Sequence, residues 1–277
     1  MNILITGASG FIGQNLTKAL IDSEHSITAC IFKTELPFNV KILKFDFAKM
    51  LKITDWLPYL INIDVVINCV GVIAENKKHS FELMHAKSPI ALFKACEKTH
   101  VKRIIHISAL GADNSAIATY HKTKLQADNY LRSSPLDWFI LRPSLVYAKG
   151  GKSYQMFKRL SNLPVIPLIG TGQQLIQPVS LEKIIQVLVK CITTKQINKT
   201  IDVVGEQIIS YQQWMGQLRV KKSKARYVCV PLFLMKFMAI LVKPLNLQLF
   251  SYDNITMLEQ SNVGDFSQLK SFMENKK

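Results

Sequence analysis

The chain has 277 residues, 48% of them hydrophobic and 19% charged, enough to bury a sizeable core as one large domain or one with a smaller C-terminal lobe. Lys and Arg outnumber Asp and Glu 35 to 19, a formal charge of +16. No zinc knuckle, RNA-binding sheet signature or recognition-helix pattern accompanies that charge, so no specific nucleic-acid site is expected; bare attraction would be weak and salt-sensitive.

The first apolar run, Ile3 to Thr6, reads as a short buried strand. It begins within two residues of Met1, which leaves no room for a signal or transit peptide, so a cytoplasmic chain is expected. Gly7, Gly10 and Gly13 then turn the strand into a helix starting near Phe11. Glycine permits the tight turn and lets a pyrophosphate approach where a Cβ would intrude. The helix N-terminus adds unpaired N–H groups and partial positive charge. A glycine-rich turn without a ligand is the competing reading.

Further strands are predicted at Ile27–Phe32, Val40–Phe45, Val65–Cys69, Arg103–Ser108 and Trp138–Leu141. Phe81, Met84, Ser88, Leu92 and Ala95 recur at helical spacing between the fourth and fifth. This alternation predicts an α/β fold: a Rossmann-type, doubly wound parallel sheet with ligands at the carboxyl ends of its strands. After about residue 150 the texture changes. Gly150, Gly151, Pro164, Pro167, Gly170 and Gly172 mark loops. The expected division is a nucleotide-binding core over 1–150 and a small C-terminal substrate lobe over 151–277, with segments returning to the main sheet. Val179 to Thr193 reads as one more helix and Ile201 to Val204 as one more strand.

The remaining tail is basic, then apolar. Arg219, Lys221, Lys222, Lys224 and Arg226 precede the run Val228 to Val242, which Lys236 interrupts and Pro244 follows. That run is too short and broken to span a membrane. Residues 219–244 could dock on an anionic membrane surface or membrane complex, or pack on the domain. Five scattered cysteines show no metal-ligand spacing and read as buried, reduced thiols; no metal is expected.

Tyr120 and Lys124 form Tyr-x-x-x-Lys, which places both side chains on one helix face. An ammonium beside a phenol favours the phenolate and lowers its pKa. Such a tyrosine can act as general acid or base at a carbonyl or alcohol. Ser108, at the end of the fifth strand, could hydrogen-bond the substrate oxygen. A surface pair on an ordinary helix is the plainer reading of Tyr-x-x-x-Lys alone. His106 reads as a core histidine, His121 as solvated on another face, and His79 and His85 as lacking metal-ligand partners.

The segments TGASGFIG, FDF, NCVG, VKRIIHISALGA, YHKTK, LRPSLVYAKGG and QPVSLEKIIQVL run in order over roughly residues 1–205. Together they resemble the extended or atypical short-chain dehydrogenase/reductases of the NAD-dependent epimerase/dehydratase-like group. ISALGAD, VVGEQIISYQQ and LFSYDNITMLEQSNV resemble the branch typified by an accessory subunit of respiratory complex I. That resemblance implies a bound nucleotide more firmly than turnover. It implies that Gly7, Ser9, Gly10, Phe11, Ile12 and Gly13 hold the pyrophosphate, and that Asp46 and Phe47 lie by the adenine. Val70 and Gly71 would line the middle of the cofactor. Tyr120 and Lys124 would meet the nicotinamide ribose, Ser108 the reacting carbon, and Pro143 and Ser144 would close over the nicotinamide. Arg142 would be structural. Where NAD users carry an acid, this chain reads Ile31, Phe32, Lys33, with Glu35 further on. Lys33 could meet a 2′-phosphate or Glu35 a ribose; NADP is slightly favoured over NAD. In the lobe, Tyr154, Gln155, Lys158, Arg159, Gln173, Gln174 and Gln177 fit no recognisable sugar-nucleotide pattern.

Two functions follow as expectations. One is an oxidoreductase, epimerase or dehydratase working by hydride transfer through Tyr120, Lys124 and Ser108. The other is a non-catalytic nucleotide-binding accessory or assembly protein, peripheral to a membrane complex.

Overall fold

The computed structural model describes residues 1–220, 225–241 and 251–274. The chain opens with strand β1 (Asn2–Thr6), helix α1 (Phe11–Leu20), β2 (Ser26–Ile31), β3 (Lys41–Lys44), the short α2 (Ile53–Trp56) and β4 (Val65–Asn68). It continues through α3 (Ser88–Glu97), β5 (Arg103–Ile107), α4 (Thr119–Arg132) and β6 (Asp137–Pro143). Then come β7 (Val146–Tyr147), α5 (Lys152–Ser161), β8 (Val165–Ile169), β9 (Leu175–Ile176), β10 (Val179–Ser180), α6 (Leu181–Thr193) and β11 (Lys199–Val203). Last are β12 (Ile209–Ser210), α7 (Tyr211–Leu218), β13 (Arg226–Val230), α8 (Leu232–Leu241), α9 (Tyr252–Glu259) and α10 (Phe266–Glu274).

Seven strands make one sheet in the order β11-β6-β5-β4-β1-β2-β3, with every neighbouring pair parallel. The order reverses between β1 and β4, so the crevice for a ligand lies where the glycine loop leaves β1 and Cys69 follows β4. Both faces of the sheet are covered, which explains why its strands read as continuous apolar runs. Ile3 and Ile5 enter one core with Leu16, Ile184, Leu188 and Phe272. Leu4 enters the other with Val66, Leu92, Phe93, Ala127 and Leu131. That is the period-two alternation of a strand. Each fully buried Leu or Ile contributes about 1.5–3 kcal/mol relative to exposure. A third cluster, with Phe157, Ile166, Leu168, Tyr211, Trp214 and Met215, forms the core of the later segments.

The predicted helix around Phe81 to Ala95 is wound in two ways. Glu82–Lys87 is a π-helical turn, closed by the Ser88 N–H to the Leu83 carbonyl, and α3 follows with Pro89 in its first turn. Proline has no N–H to continue an i→i−4 ladder, so the wider turn forms ahead of it. The predicted helix from Val179 starts instead at Leu181. Val179 and Ser180 pair with β7, and Ser180 caps the helix by accepting the Lys183 N–H. β11 returns to the sheet edge beside β6, where Arg142 and Asp202 stand in register and form an ion pair at 2.6 Å. Cys30, Cys96 and Cys191 are buried, but Cys229 is exposed. Lying on β13, which pairs with β8 outside the central sheet, it corrects the expectation of buried thiols.

Candidate active site and dinucleotide cradle

Gly7 has φ +68°, and a Cβ there would lie 3.0 Å from the backbone of Cys69 and Val70. The loop after β1 therefore presses on the end of β4, which only glycine allows. A Cβ on Gly13 would run into the Gly7 carbonyl and come within 2.9 Å of Ala8 Cα. Gly10 is the N-cap of α1 and brings no side-chain acceptor. The first-turn N–H groups of Phe11, Ile12 and Gly13 are thus left to an outside acceptor. No acidic residue occupies that turn. This donor set fits a pyrophosphate. Ser9 is half-buried beside it. The side chains of Phe11 and Ile12 do other work. The Phe11 ring lies against Gly150 and Gly151, where a Cβ on Gly151 would approach to 3.1 Å, and Ile12 packs on the sheet core.

At the ends of β2 and β3 stand Phe32, Lys33, Asp46 and His79. Phe32 and His79 meet edge to face at 5.4 Å, and the Lys33 ammonium sits 5.1 Å from the Phe32 ring centroid. Asp46 accepts the Ala48 N–H at 3.1 Å and faces His79 Nε2 at 3.2 Å. Glu35 is paired with Lys44 at 2.7 Å. Phe47, expected to lie by the adenine, directly follows Asp46. Its ring is 6% exposed and packs edge-on against Trp56, so only its main chain remains for a ligand. An apolar ring gains more by leaving water than by lining a polar cleft.

Tyr120, Lys124 and Asp128 follow one another at single-turn intervals on α4. Lys124 is 2% exposed. Its Nζ donates to the Ile107 carbonyl at 2.8 Å and to the Val70 carbonyl at 3.3 Å, tying the helix to the ends of β5 and β4. Burial lowers this ammonium to about 8. A Cβ on Gly71 would lie 3.5 Å from the same Nζ, so Val70 and Gly71, expected to line the middle of a cofactor, both stand against Lys124. The Tyr120 ring is framed by the rings of Phe81, His85 and His121, with centroids 5.7, 5.0 and 5.3 Å away. Its phenol makes no hydrogen bond among the described residues. Burial pushes it up to about 12, opposite to the lowering expected from a neighbouring ammonium. The hydrogen bonds of Lys124 run to the two carbonyls instead.

One histidine differs from its sequence reading. His121 is buried rather than solvated, with its ring against Gly111, where a Cβ would come within 3.2 Å. His85 is fully buried and stacks on Phe81 at 5.3 Å. Its Nε2 accepts the Val72 N–H at 3.0 Å, and burial holds the ring neutral. Nδ1 therefore carries the proton and meets Thr123 Oγ1 at 3.3 Å. Thr123 in turn donates to the Thr119 and Tyr120 carbonyls. His85 thus fixes the turn that carries Tyr120. Its signal in the sequence is its position in the apolar helix after β4, not any metal-ligand spacing.

Ser108 needs a correction. It is 2% exposed, and its Oγ donates to Asp128 Oδ2 at 2.6 Å. A hydroxyl has one proton; spent on a carboxylate, it leaves none for a substrate oxygen. Behind this pair, Asp128 Oδ1 lies 3.5 Å from His106 Nε2. His106 Nδ1 meets Asn68 Nδ2 at 3.0 Å, and Asn68 Oδ1 accepts from Thr6 and from the Val70 N–H. A buried polar chain therefore runs beneath the cleft from β1 to α4. Asp128 was legible only as the residue four beyond Lys124. Pro143 ends β6, and Ser144 Oγ donates to the Gln177 carbonyl. In the later segments, Gln174 and Gln177 bond to backbone groups of Ile169, Leu258, Gly205 and Gly264. They brace loops.

A family model described as NAD(P)H-binding matches residues 7–194. UDP-glucose 4-epimerase of Vibrio cholerae is 24% identical over 251 residues, covering 80% of this chain and 76% of that protein. NADH dehydrogenase [ubiquinone] 1 alpha subcomplex subunit 9 of Rattus norvegicus is 28% identical over 117 residues. That match covers 42% of this chain but only 31% of the rat protein. Among solved structures, UDP-glucuronic acid 4-epimerase of Bacillus cereus, in complex with UDP-glucuronic acid and NAD, superposes with a TM-score of 0.67. Its identity is 22%, and 83% of this chain and 86% of that one are covered, a likeness of fold.

Proposed function

Because the chain belongs to the NAD(P)H-binding family, we propose that it is a nicotinamide-dependent oxidoreductase or epimerase in which Tyr120 exchanges a proton with a carbonyl or alcohol oxygen. The carrying observation is the Tyr120–Lys124 turn: an unbonded phenol one turn from a buried ammonium pinned to two strand-end carbonyls. The first-turn N–H groups of α1 would hold the pyrophosphate, and Val70 and Gly71 the middle of the cofactor. The bound nicotinamide supplies a hydride acceptor or donor. Lys124 holds positive charge beside the cleft and favours the anionic oxygen on Tyr120 once a substrate excludes water. His85, through Thr123, is a positioning residue for Tyr120. Ser108 acts on Asp128, not on the substrate.

NADP is the favoured cofactor. Lys33 is exposed and makes no ion pair among the described residues, whereas Glu35, the alternative ribose ligand, is engaged by Lys44. Midpoint shifts with NADPH and NADH test this choice, and Lys33→Glu is expected to weaken NADPH about tenfold or more relative to NADH. Turnover of a carbonyl and sugar-nucleotide panel tests the chemistry. Tyr120→Phe is expected to lower kcat by about 10²-fold or more with cofactor binding retained. Unchanged turnover in that variant rejects the assignment.

A second reading is a nucleotide-binding accessory protein without turnover. The phenol held at about 12 and the committed Ser108 proton favour it. Nucleotide would then act by stabilising the native state. A large midpoint shift with no turnover on any panel member is its signature.

A further inference from the structure

We propose that the exposed face of α8 is a docking surface for an anionic lipid bilayer, with Phe233, Phe237 and Ile240 entering the interface. These three stand at i, i+4 and i+7, one face of the helix. They are 76%, 57% and 59% exposed, and Leu234 and Met238 flank them, also exposed. The other side of α8 is held down. Ala239 is buried, Leu232 and Met235 join the third core cluster, and Lys236 pairs with Glu259 of α9 at 2.7 Å. The helix is therefore fixed to the body by one side and offers water a contiguous apolar stripe, an arrangement that marks an interaction surface.

Charge selects the occupant. From residue 207 to 252 the sequence holds seven Lys or Arg and no Asp or Glu. Of these, Lys221, Lys222, Lys224 and Lys243 lie outside the described residues. Arg226 is exposed on β13, immediately before α8. The two carboxylates of α9 are engaged: Glu259 by Lys236 and Asp253 by the Thr119 N–H. A second copy of this chain would carry the same net charge of +16 and be repelled. An anionic bilayer answers both features, drawing the cations to its headgroups and taking up the aromatic side chains. Ten residues give a helix about 15 Å long, half of what a span requires. No helix among the described residues is long and apolar enough to cross a membrane. The helix would lie in the interface plane.

The test is flotation of the full chain with phosphatidylglycerol-containing vesicles and with pure phosphatidylcholine vesicles, at low and high salt. The wild type is expected to float with the anionic vesicles at low salt and to be released as salt screens the attraction. Phe233→Ser combined with Phe237→Ser is expected to cut the bound fraction about tenfold or more. Both residues are exposed, so the melting temperature stays unchanged and certifies the fold. Three results overturn the proposal: a wild type left in solution at low salt, a double variant that floats as well as the wild type, or light scattering in which the wild type alone self-associates through this stripe. None depends on cofactor or turnover.

Discussion

Ser108 donates its hydroxyl to Asp128 across 2.6 Å, in a layer where both side chains are shut off from water. The consequence reaches beyond the pair. A serine at the end of the fifth strand is where a substrate hydrogen bond was expected. Its hydroxyl instead donates to a helix carboxylate one turn past Lys124. The cleft keeps Tyr120 and Lys124, and the serine becomes part of the foundation under them.

Asp128 makes stability depend on pH. Burial is the main cause that raises it from 3.8 to about 6, with Ser108 and Arg132 opposing. The folded state therefore holds the proton more tightly than the unfolded state. Between these values ν_U − ν_N is negative, so stability falls as pH rises from about 4 to about 6. Two units correspond to on the order of 3 kcal/mol. Asp128→Asn keeps an acceptor for Ser108 and is expected to flatten this fall, as read by denaturant unfolding across that range.

Lys124 acts in the opposite sense at alkaline pH. Its folded value, about 8, lies below 10.5. The unfolded chain binds more protons in that window, so stability rises as pH increases from about 8 to about 10.5. Cofactor affinity should fall over the same range as the ammonium is lost. Lys124→Met is expected to remove both trends and to weaken NADPH binding. Titrations at neutral pH and near 10 check it.

Gly13→Ala tests the tightness of the cradle. The new methyl would meet backbone, the Gly7 carbonyl and Ala8 Cα, neither of which can turn aside. Overpacking of this kind costs about 1–3 kcal/mol or more, and α1 would shift away from β1. A lowered melting temperature together with a lost NADPH-induced shift is expected. An unchanged midpoint would mean that the loop is looser than its contacts indicate.

Thiol labelling should resolve the cysteines by environment. Cys229 is exposed, Cys69 is partly covered with its thiol pushed up to about 12, and Cys30, Cys96 and Cys191 are buried with raised thiols. One fast-reacting thiol is expected in the native protein. Cys229→Ser should abolish that phase while leaving the slow ones.

The sequence by itself determined the parallel sheet and the glycine cradle. Buried parallel strands need unbroken apolar runs, and a strand-to-helix turn pressed on its neighbour needs glycine, so both leave a local imprint at Ile3–Thr6 and at Gly7, Gly10 and Gly13. The helical spacing of Tyr120 and Lys124 was legible for the same reason. What only the tertiary structure decided depends on partners far apart in the chain. Ser108 is turned from the cleft by Asp128, Phe47 is drawn inward by Trp56, and His85 reaches Tyr120 through Thr123 from a π-turn. The later segments show the same limit. Their short strands pair with distant neighbours, β12 with β9 and β13 with β8, and no local periodicity announces them. A side chain's direction is set by which neighbour completes its hydrogen bond or covers its apolar surface, and that neighbour is chosen only when the elements meet.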